Sequence, residues 1–476
     1  MHRALTRFRV FILACSLLTA ATMSVLTVHS APAQLPPVGI IYVDASATGA
    51  NSGSTWTDAF TSLDSAINAA AAGDFILVAA GTYTQAAWTP DGYTITKALN
   101  IYGGFAGGET SIDTRAGLFS ATILDGASIS RLFTITGVGG SNKVVIDGFH
   151  LKDGSARGAA SVGPNKGGGI YAEGSNLNLG NCIFDQTSAS GGDGGGIYFT
   201  GAAGSPNTLN IKYCQFLQNM VEYKGGAIYG AFLTAGDVVN SLFDGCWART
   251  EHGGAIYLEE MTPSAPLWLT NCIFWSNYSQ GASGKGGALD LGIGPAPGGT
   301  GGSAKLINCT MVRNSVPTCG NGQAVNIDVG ASCEVHNTII WHNLGCGGVP
   351  PIMGFVPGSV TYSCIQYFPL GPAYPTVVNG DPLFRSLTSP LTLHLLGPGQ
   401  AGPANPLGSP CIDFADASKL PPDNLDVNED GLTGNQLMPV NFLGSIRDKD
   451  WPGSPNNGIP QFPQPTYVDM GAFEKQ

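Results

Sequence analysis

Charge is scarce in this chain. Only 11% of its 476 residues are Asp, Glu, Lys or Arg, less than half the share found in an average globular domain. A disordered chain held open by its own charge is therefore excluded. Basic residues are fewer than acidic ones, 21 against 33. A surface of that sign is repelled by phosphate backbones, so nucleic acid is not an expected partner. Beyond residue 33 no stretch offers about 18 consecutive apolar residues, and no transmembrane span is expected after that point. Long helical periodicity is also lacking. With 68 Gly and 31 Pro, residues that helix interiors tolerate poorly, a helical bundle or coiled coil is excluded. What remains is a chain of 43% hydrophobic residues, read as many short strands joined by Gly-rich turns.

The N-terminus carries Arg3, Arg7 and Arg9, then an apolar stretch from Val10 to about Val28, then Ala31-Pro32-Ala33. This is the pattern of a cleaved secretory signal peptide over residues 1–33. The mature chain would keep 18 basic and 33 acidic residues, a net charge of −15. It is expected to be exported, extracellular or cell-surface, and monomeric, in a compartment that permits disulfides.

Internal repeats decide the architecture. Gly167-Gly168-Gly169-Ile170-Tyr171 recurs at Gly194, Gly225 and Gly253, and in weaker form at Gly286 and Gly322. A second motif alternates with it: Asn181-Cys182-Ile183-Phe184, Tyr213-Cys214-Gln215-Phe216, Asn240-Ser241-Leu242-Phe243 and Asn271-Cys272-Ile273-Phe274, continuing to Cys364. The period is about 31 residues, with two or three strands expected per repeat. Side chains alternate across a strand, so Cys182 and Phe184 share one face and would stack on their equivalents one coil away. The fold class expected is all-β, a right-handed parallel β-helix of the pectin-lyase-like kind. Its N-terminal cap (34–94) would include a helix read from Trp56, Phe60, Leu63, Ile67 and Ala70, followed by a first strand at Phe75–Ala79. The β-helix would span 95–374, and an irregular Pro/Asp-rich capping or anchor segment 375–476.

These residues bear a family likeness. The Gly-Gly-Ala-Ile copies alternating with Phe-x-x-Asn (Phe216 to Asn219, Phe274 to Asn277) resemble the repeats of bacterial polymorphic outer membrane proteins. Tyr42-Val43-Asp44, Gly81-Thr82-Tyr83, Asp381-Pro382-Leu383-Phe384, Gly408-Ser409-Pro410-Cys411-Ile412-Asp413 and Asp469-Met470-Gly471-Ala472-Phe473-Glu474 resemble secreted β-helix proteins with a choice-of-anchor C-terminal segment. The resemblance implies this fold and export, and names no reaction. A C-terminal membrane barrel is not supported, because alternating ten-residue strands are missing there.

Four candidate sites follow. Asp426-Val427-Asn428-Glu429-Asp430-Gly431 matches the first half of a calcium loop, with Asp426, Asn428 and Asp430 as oxygen ligands; Leu437 stands where the last Glu belongs. The other reading is an acidic surface turn. Lys166, Asp193, Lys224, His252, Lys285 and Asn321 form a column just before the Gly-Gly motif. Lys224 flanked by Asp193 and His252 is a candidate for abstracting a proton beside a uronate carboxylate, against a solvated turn of alternating charge. Trp275 and Trp341 point outward one residue past the Phe column, either to stack on sugar rings or to be shielded by a loop. Cys182, Cys214, Cys272, Cys309 and Cys364 share an inward column as free thiols, whereas Cys319 and Cys346 are the disulfide candidates.

The paired-Asp and Gly-His-Gly motifs of β-helix polygalacturonases are missing, as are serine, cysteine and zinc hydrolase motifs. The expected role is structural, adhesive or glycan-binding toward an extracellular polysaccharide or cell-surface component, with no cofactor required and calcium as the one candidate ion. The alternative is a polysaccharide lyase or glycoside hydrolase.

Overall fold

The computed structural model describes residues 39–85, 89–115, 119–157, 163–201, 207–261, 264–295, 299–343, 348–396, 400, 408–412, 414–420 and 470–471. Among them the strands form four sheets, two of 11 strands, one of nine and one of five. Every pairing between named strands is parallel, and each strand pairs with its equivalents in the coils before and after it. One coil reads Ile170–Glu173, Leu177–Gly180, Ile183–Asp185 and Ser188–Ala189. The chain is a parallel β-helix, and twisted parallel strands favour the right-handed crossover. Coils with a fourth short strand exceed the two or three expected, because Ser188–Ala189 and its four counterparts pair over only two residues.

The core is built from ladders. Phe184, Phe216, Phe243 and Phe274 are fully buried, and their rings stack with centroids 4.7, 4.9 and 4.6 Å apart. No coil covers these rings alone; each is sealed by its neighbours, at roughly 1.5–3 kcal/mol per buried side chain. Asn181, Asn240, Asn271, Asn308 and Asn337 hold the turn before them at φ of 49–55°, the left-handed conformation that Asn tolerates. Their amides bond along the axis, Asn271 Nδ2 to Asn240 Oδ1 at 2.9 Å and Asn337 Nδ2 to Asn308 Oδ1 at 3.1 Å. In the next turn Asn277 Nδ2 donates to Asn314 Oδ1 and Asn314 Nδ2 to Asn343 Oδ1, both at 2.9 Å.

The repeated glycines have two separate causes. Gly194 and Gly225 lie at φ of 68° and 72°, where a β-carbon is strained. Gly195 and Gly226 instead touch the next coil, so that an added β-carbon would lie 2.3 and 2.2 Å from the carbonyl oxygens of Gly226 and Gly254.

Several details differ from expectation. The helix is only Leu63–Ala69, capped by Ser62. Trp56 packs instead on Tyr42 and Phe105, and Phe60 pairs with Val43. Leu63, Ala66 and Ile67 of the helix are buried against the first coil. The first strand is Ile40–Val43, which lies ahead of Phe75–Ala79 and pairs with it. No helix among the described residues is long and apolar enough to cross a membrane.

Cys364 does not join the inward Cys column. Ile339 pairs with Cys364, which puts Ser363 in line with Thr338; Ser363 Oγ accepts from Thr338 N. A shift of one residue moves a side chain to the opposite face, and Cys364 lies outside the barrel. Residues of the C-terminal segment cover that outer face: Leu395, Cys411, Ile412, Ala415, Leu420 and Met470 pack with Ile339, Trp341 and Cys364.

Candidate functional site

The third sheet runs through Phe133–Thr136, Ile170–Glu173, Ile197–Thr200, Ile228–Ala231, Ile256–Glu259, Leu289–Leu291 and Val325–Ile327. Its inward residues are apolar, one column running Phe133, Ile170, Ile197, Ile228, Ile256, Leu289 and Val325. Its outward register aligns Tyr171, Tyr198, Tyr229 and Tyr257, then Asp290 and Asn326. The tyrosine rings stack at 5.3, 4.8 and 5.8 Å. The turn column enters the sheet in register, since Gly194 N bonds to Lys224 O, Gly225 N to His252 O and Gly253 N to Lys285 O. Lys166, Asp193, Lys224, His252 and Lys285 therefore flank the tyrosine row.

Cations lie on the rings. Arg131 sits 4.9 Å from the Tyr171 centroid, Lys166 4.4 Å from Tyr198 and Lys224 4.5 Å from Tyr257, within the range of cation–π attraction. Glu259, which stands outside the repeated turn column, gathers three of these groups. It accepts from Tyr229 Oη, from Tyr257 Oη at 2.9 Å and from Lys224 Nζ at 3.3 Å. Burial pushes the Tyr229 and Tyr257 hydroxyls far above the usual phenol range, and the Glu259 charge adds to it. Both stay as donors.

Next to this cluster lies a carboxyl with an uncommitted oxygen. Asp290 is fully buried; its Oδ1 accepts from Asn326 Nδ2 at 2.8 Å. Its Oδ2 has no hydrogen-bond partner and stands 3.9 Å from His252 Nδ1, which has none either. Burial raises Asp290 to about 7, against the lowering effect of Asn326. His252 is lowered to about 4, by burial first and then by Lys285 and Lys224. Burial raises Asp193 to about 6 although Lys166 and Lys224 oppose it. Near neutral pH the site thus holds a half-protonated carboxyl beside a neutral imidazole, two groups whose surroundings push them apart. Lys285 pairs with Asp328 at 2.7 Å on the solvent side.

The described residues 292–295 and 299–303 carry no chemistry but form a wall. Gly301 pairs with Glu259 and Ile293, and a β-carbon on Gly292 would meet Tyr257 Oη at 2.0 Å. Only Gly lets the wall approach so closely.

The structure thus brings Lys224, Asp193 and His252 together on one face, as their spacing suggested. Trp275 and Trp341 are elsewhere and covered, 6% and 8% exposed. Leu393 packs with Trp275, and Arg313 lies 5.0 Å from its ring centroid, so the shielding alternative describes them. Asp426, Asn428 and Asp430 lie outside the described residues. Among the described residues no three His, Cys, Asp or Glu side chains converge in a way that would hold a metal ion. Cys319 is disulfide-bonded; Cys346 lies outside the described residues. Cys182, Cys214, Cys272 and Cys309 are free and buried.

Asp290 gives a pH prediction. Because its folded-state value is raised, the native state holds a proton that the unfolded chain has released, and stability falls between about pH 4 and 7. His252 acts in the opposite sense between about pH 4 and 6.5, where only the unfolded chain is charged at that position. Asp290→Asn is expected to raise the unfolding free energy at pH 8 by about 1–3 kcal/mol and to give no gain at pH 4. Urea titrations at both pH values check this, and an equal shift at both contradicts it.

No protein-family model and no curated protein matches the chain. Among solved structures, the crystal structure of the pectate lyase Pel9A is similar at 14% identity, covering 92% of this chain and 96% of that one, with a TM-score of 0.40. ORF18 of Geobacillus virus E2 is similar at 12% identity, covering 61% of this chain and 55% of that one, with a TM-score of 0.26. Likenesses of this size leave the fold to rest on the sheets themselves.

Proposed function

We propose that this chain is an exported β-helix protein that binds a hydroxyl-rich polysaccharide along the outer face of its third sheet. The observation that carries the reading is the line of solvent-reaching side chains Lys224, His252 and Lys285 above a continuous row of stacked tyrosines that are themselves only 2–7% exposed, with the buried carboxyls Glu259 and Asp290 between them. Cations and carboxyls alternate there, so the face offers donors and acceptors together and has no net basic strip. Sugar hydroxyls use both kinds of partner, whereas a uronate polymer would favour uncompensated cations. Export by residues 1–33, and calcium on Asp426, Asn428 and Asp430, belong to the same reading.

Affinity electrophoresis through gels containing neutral or uronate polysaccharides tests it. Retention on a neutral polymer is expected, and His252→Ala/Lys285→Ala, which alters groups at the solvent rim, should weaken it about tenfold or more. Equal retention of the variant removes the proposed face. One observation favours a second reading, cleavage of the bound chain: Asp290 Oδ2 stands 3.9 Å from His252 Nδ1 with neither atom hydrogen-bonded, and burial raises that carboxyl to about 7, the range a general acid needs. New reducing ends or unsaturated products that vanish in Asp290→Asn would establish it.

A further inference from the structure

Ten of the eleven cysteines lie beyond the leader, and two of these meet outside the ladders. Cys364 points out of the barrel at the last full coils, with Sγ 3.1 Å from the carbonyl oxygen of Gly380. A β-carbon on Gly380 would lie 3.6 Å from the Pro410 ring, the residue before Cys411. Cys364 and Cys411 are both free, fully buried thiols in one small apolar cluster. The backbone around Cys411 is anchored on both sides. Met470 N donates to Cys411 O, Gly471 N to Asn337 O, and Asn337 exchanges bonds with the backbone of Asp416 at 2.8 and 2.9 Å.

We propose that Cys364 and Cys411 are the two halves of a disulfide that clasps the C-terminal segment to the outside of the β-helix. The ladder thiols differ from this pair. Cys182 and Cys214, or Cys272 and Cys309, come from successive coils whose parallel strands hold equivalent positions about 4.8 Å apart, beyond the usual β-carbon separation of a bridge. Those coils are also tied already by backbone hydrogen bonds. Cys411 belongs to an overlying segment and is free of that spacing. The link would close a loop across residues 364–411 and constrain a segment whose described residues after Val378 form no named strand.

Formation is an oxidation by thiol–disulfide exchange with a small disulfide such as oxidised glutathione. One thiolate attacks the oxidant and releases one small thiol; the second attacks the mixed disulfide and releases another. The two cysteine sulfurs lose two electrons, the oxidant gains them, and the two thiol protons leave with the released thiols.

The test uses the full chain refolded in a buffer of oxidised and reduced glutathione. It is then denatured, alkylated without reductant, digested and mapped by mass spectrometry. A linked peptide pair containing Cys364 and Cys411, separated only by reductant, is expected. Recovery of both cysteines alkylated without reduction overturns the proposal. Limited proteolysis supplies an independent readout that needs no mapping. Cys411→Ser, Cys364→Ser and the double variant should each expose residues 375–476 to cleavage about tenfold faster than the wild type, equally and without additivity. Additive effects of the two substitutions, or a wild type that reductant does not sensitise, would overturn it as well.

Discussion

Phe243→Ala is expected to lower the unfolding free energy by about 3–5 kcal/mol, the range for removing a buried ring from a rigid core. Phe243 has a stacked ring above and below, at 4.9 Å to Phe216 and 4.6 Å to Phe274. Truncation opens a cavity between two coils whose backbones are fixed by parallel hydrogen bonds on each side, so the gap cannot collapse. Phe243→Leu keeps most of the volume and should cost less than half as much. Denaturant unfolding followed by circular dichroism reads both. Equal effects of Ala and Leu would show that stacking and volume at this position do not carry the core.

The second large effect is polar. Asn314 is fully buried and serves two coils. Its Nδ2 donates to Phe274 O at 3.0 Å and to Asn343 Oδ1 at 2.9 Å, while its Oδ1 accepts from Asn277 N and Nδ2 at 3.1 and 2.9 Å. Asn314→Ala strands the Asn277 donors and the Phe274 carbonyl without partners. Each buried group left unpaired costs about 1–3 kcal/mol, so a loss of about 3 kcal/mol or more is expected. Asn314→Asp should not restore stability, because a carboxylate cannot donate to Phe274 O or Asn343 Oδ1 and a buried charge carries its own penalty. A loss below about 0.5 kcal/mol for Asn314→Ala would mean that the amide ladder decorates the core without supporting it.

Whatever recurs was legible in the sequence. The Phe ladder, the left-handed Asn turn and the column from Lys166 to Lys285 each repeat at one register, and stacking follows from the period alone. The site was half legible for the same reason. Lys224, Asp193 and His252 lie in a repeated column, whereas Asp290 stands where the motif Gly-Gly-Ala-Ile-Tyr has degraded to Gly-Gly-Ala-Leu-Asp. That substitution puts a carboxyl in line with Tyr257, and the departure from the repeat was the signal to follow. Glu259 likewise sits two residues past Tyr257 on the same strand face.

What the repeat does not encode was not legible. Trp275 and Trp341 are correctly outward, but a segment outside the period covers them, and only tertiary packing decides that. Cys364 appeared to continue the inward Cys column, although the preceding coil reads Asn337-Thr338-Ile339-Ile340 and the next reads Tyr362-Ser363-Cys364-Ile365. Aligning Tyr362, at φ of 46°, with the Asn turn moves Cys364 outward. A helix at Trp56 failed because its apolar spacing also suits a loop wrapped on the first coil.

The claim that sugars lie along the third sheet is tested most directly by hydrogen–deuterium exchange with and without a retained polysaccharide. Slowed exchange confined to peptides spanning 224–231, 252–260 and 285–292 is the result this account predicts. Protection instead over 303–307 and 332–336, paired strands of an 11-stranded sheet, or over 375–420 would contradict it.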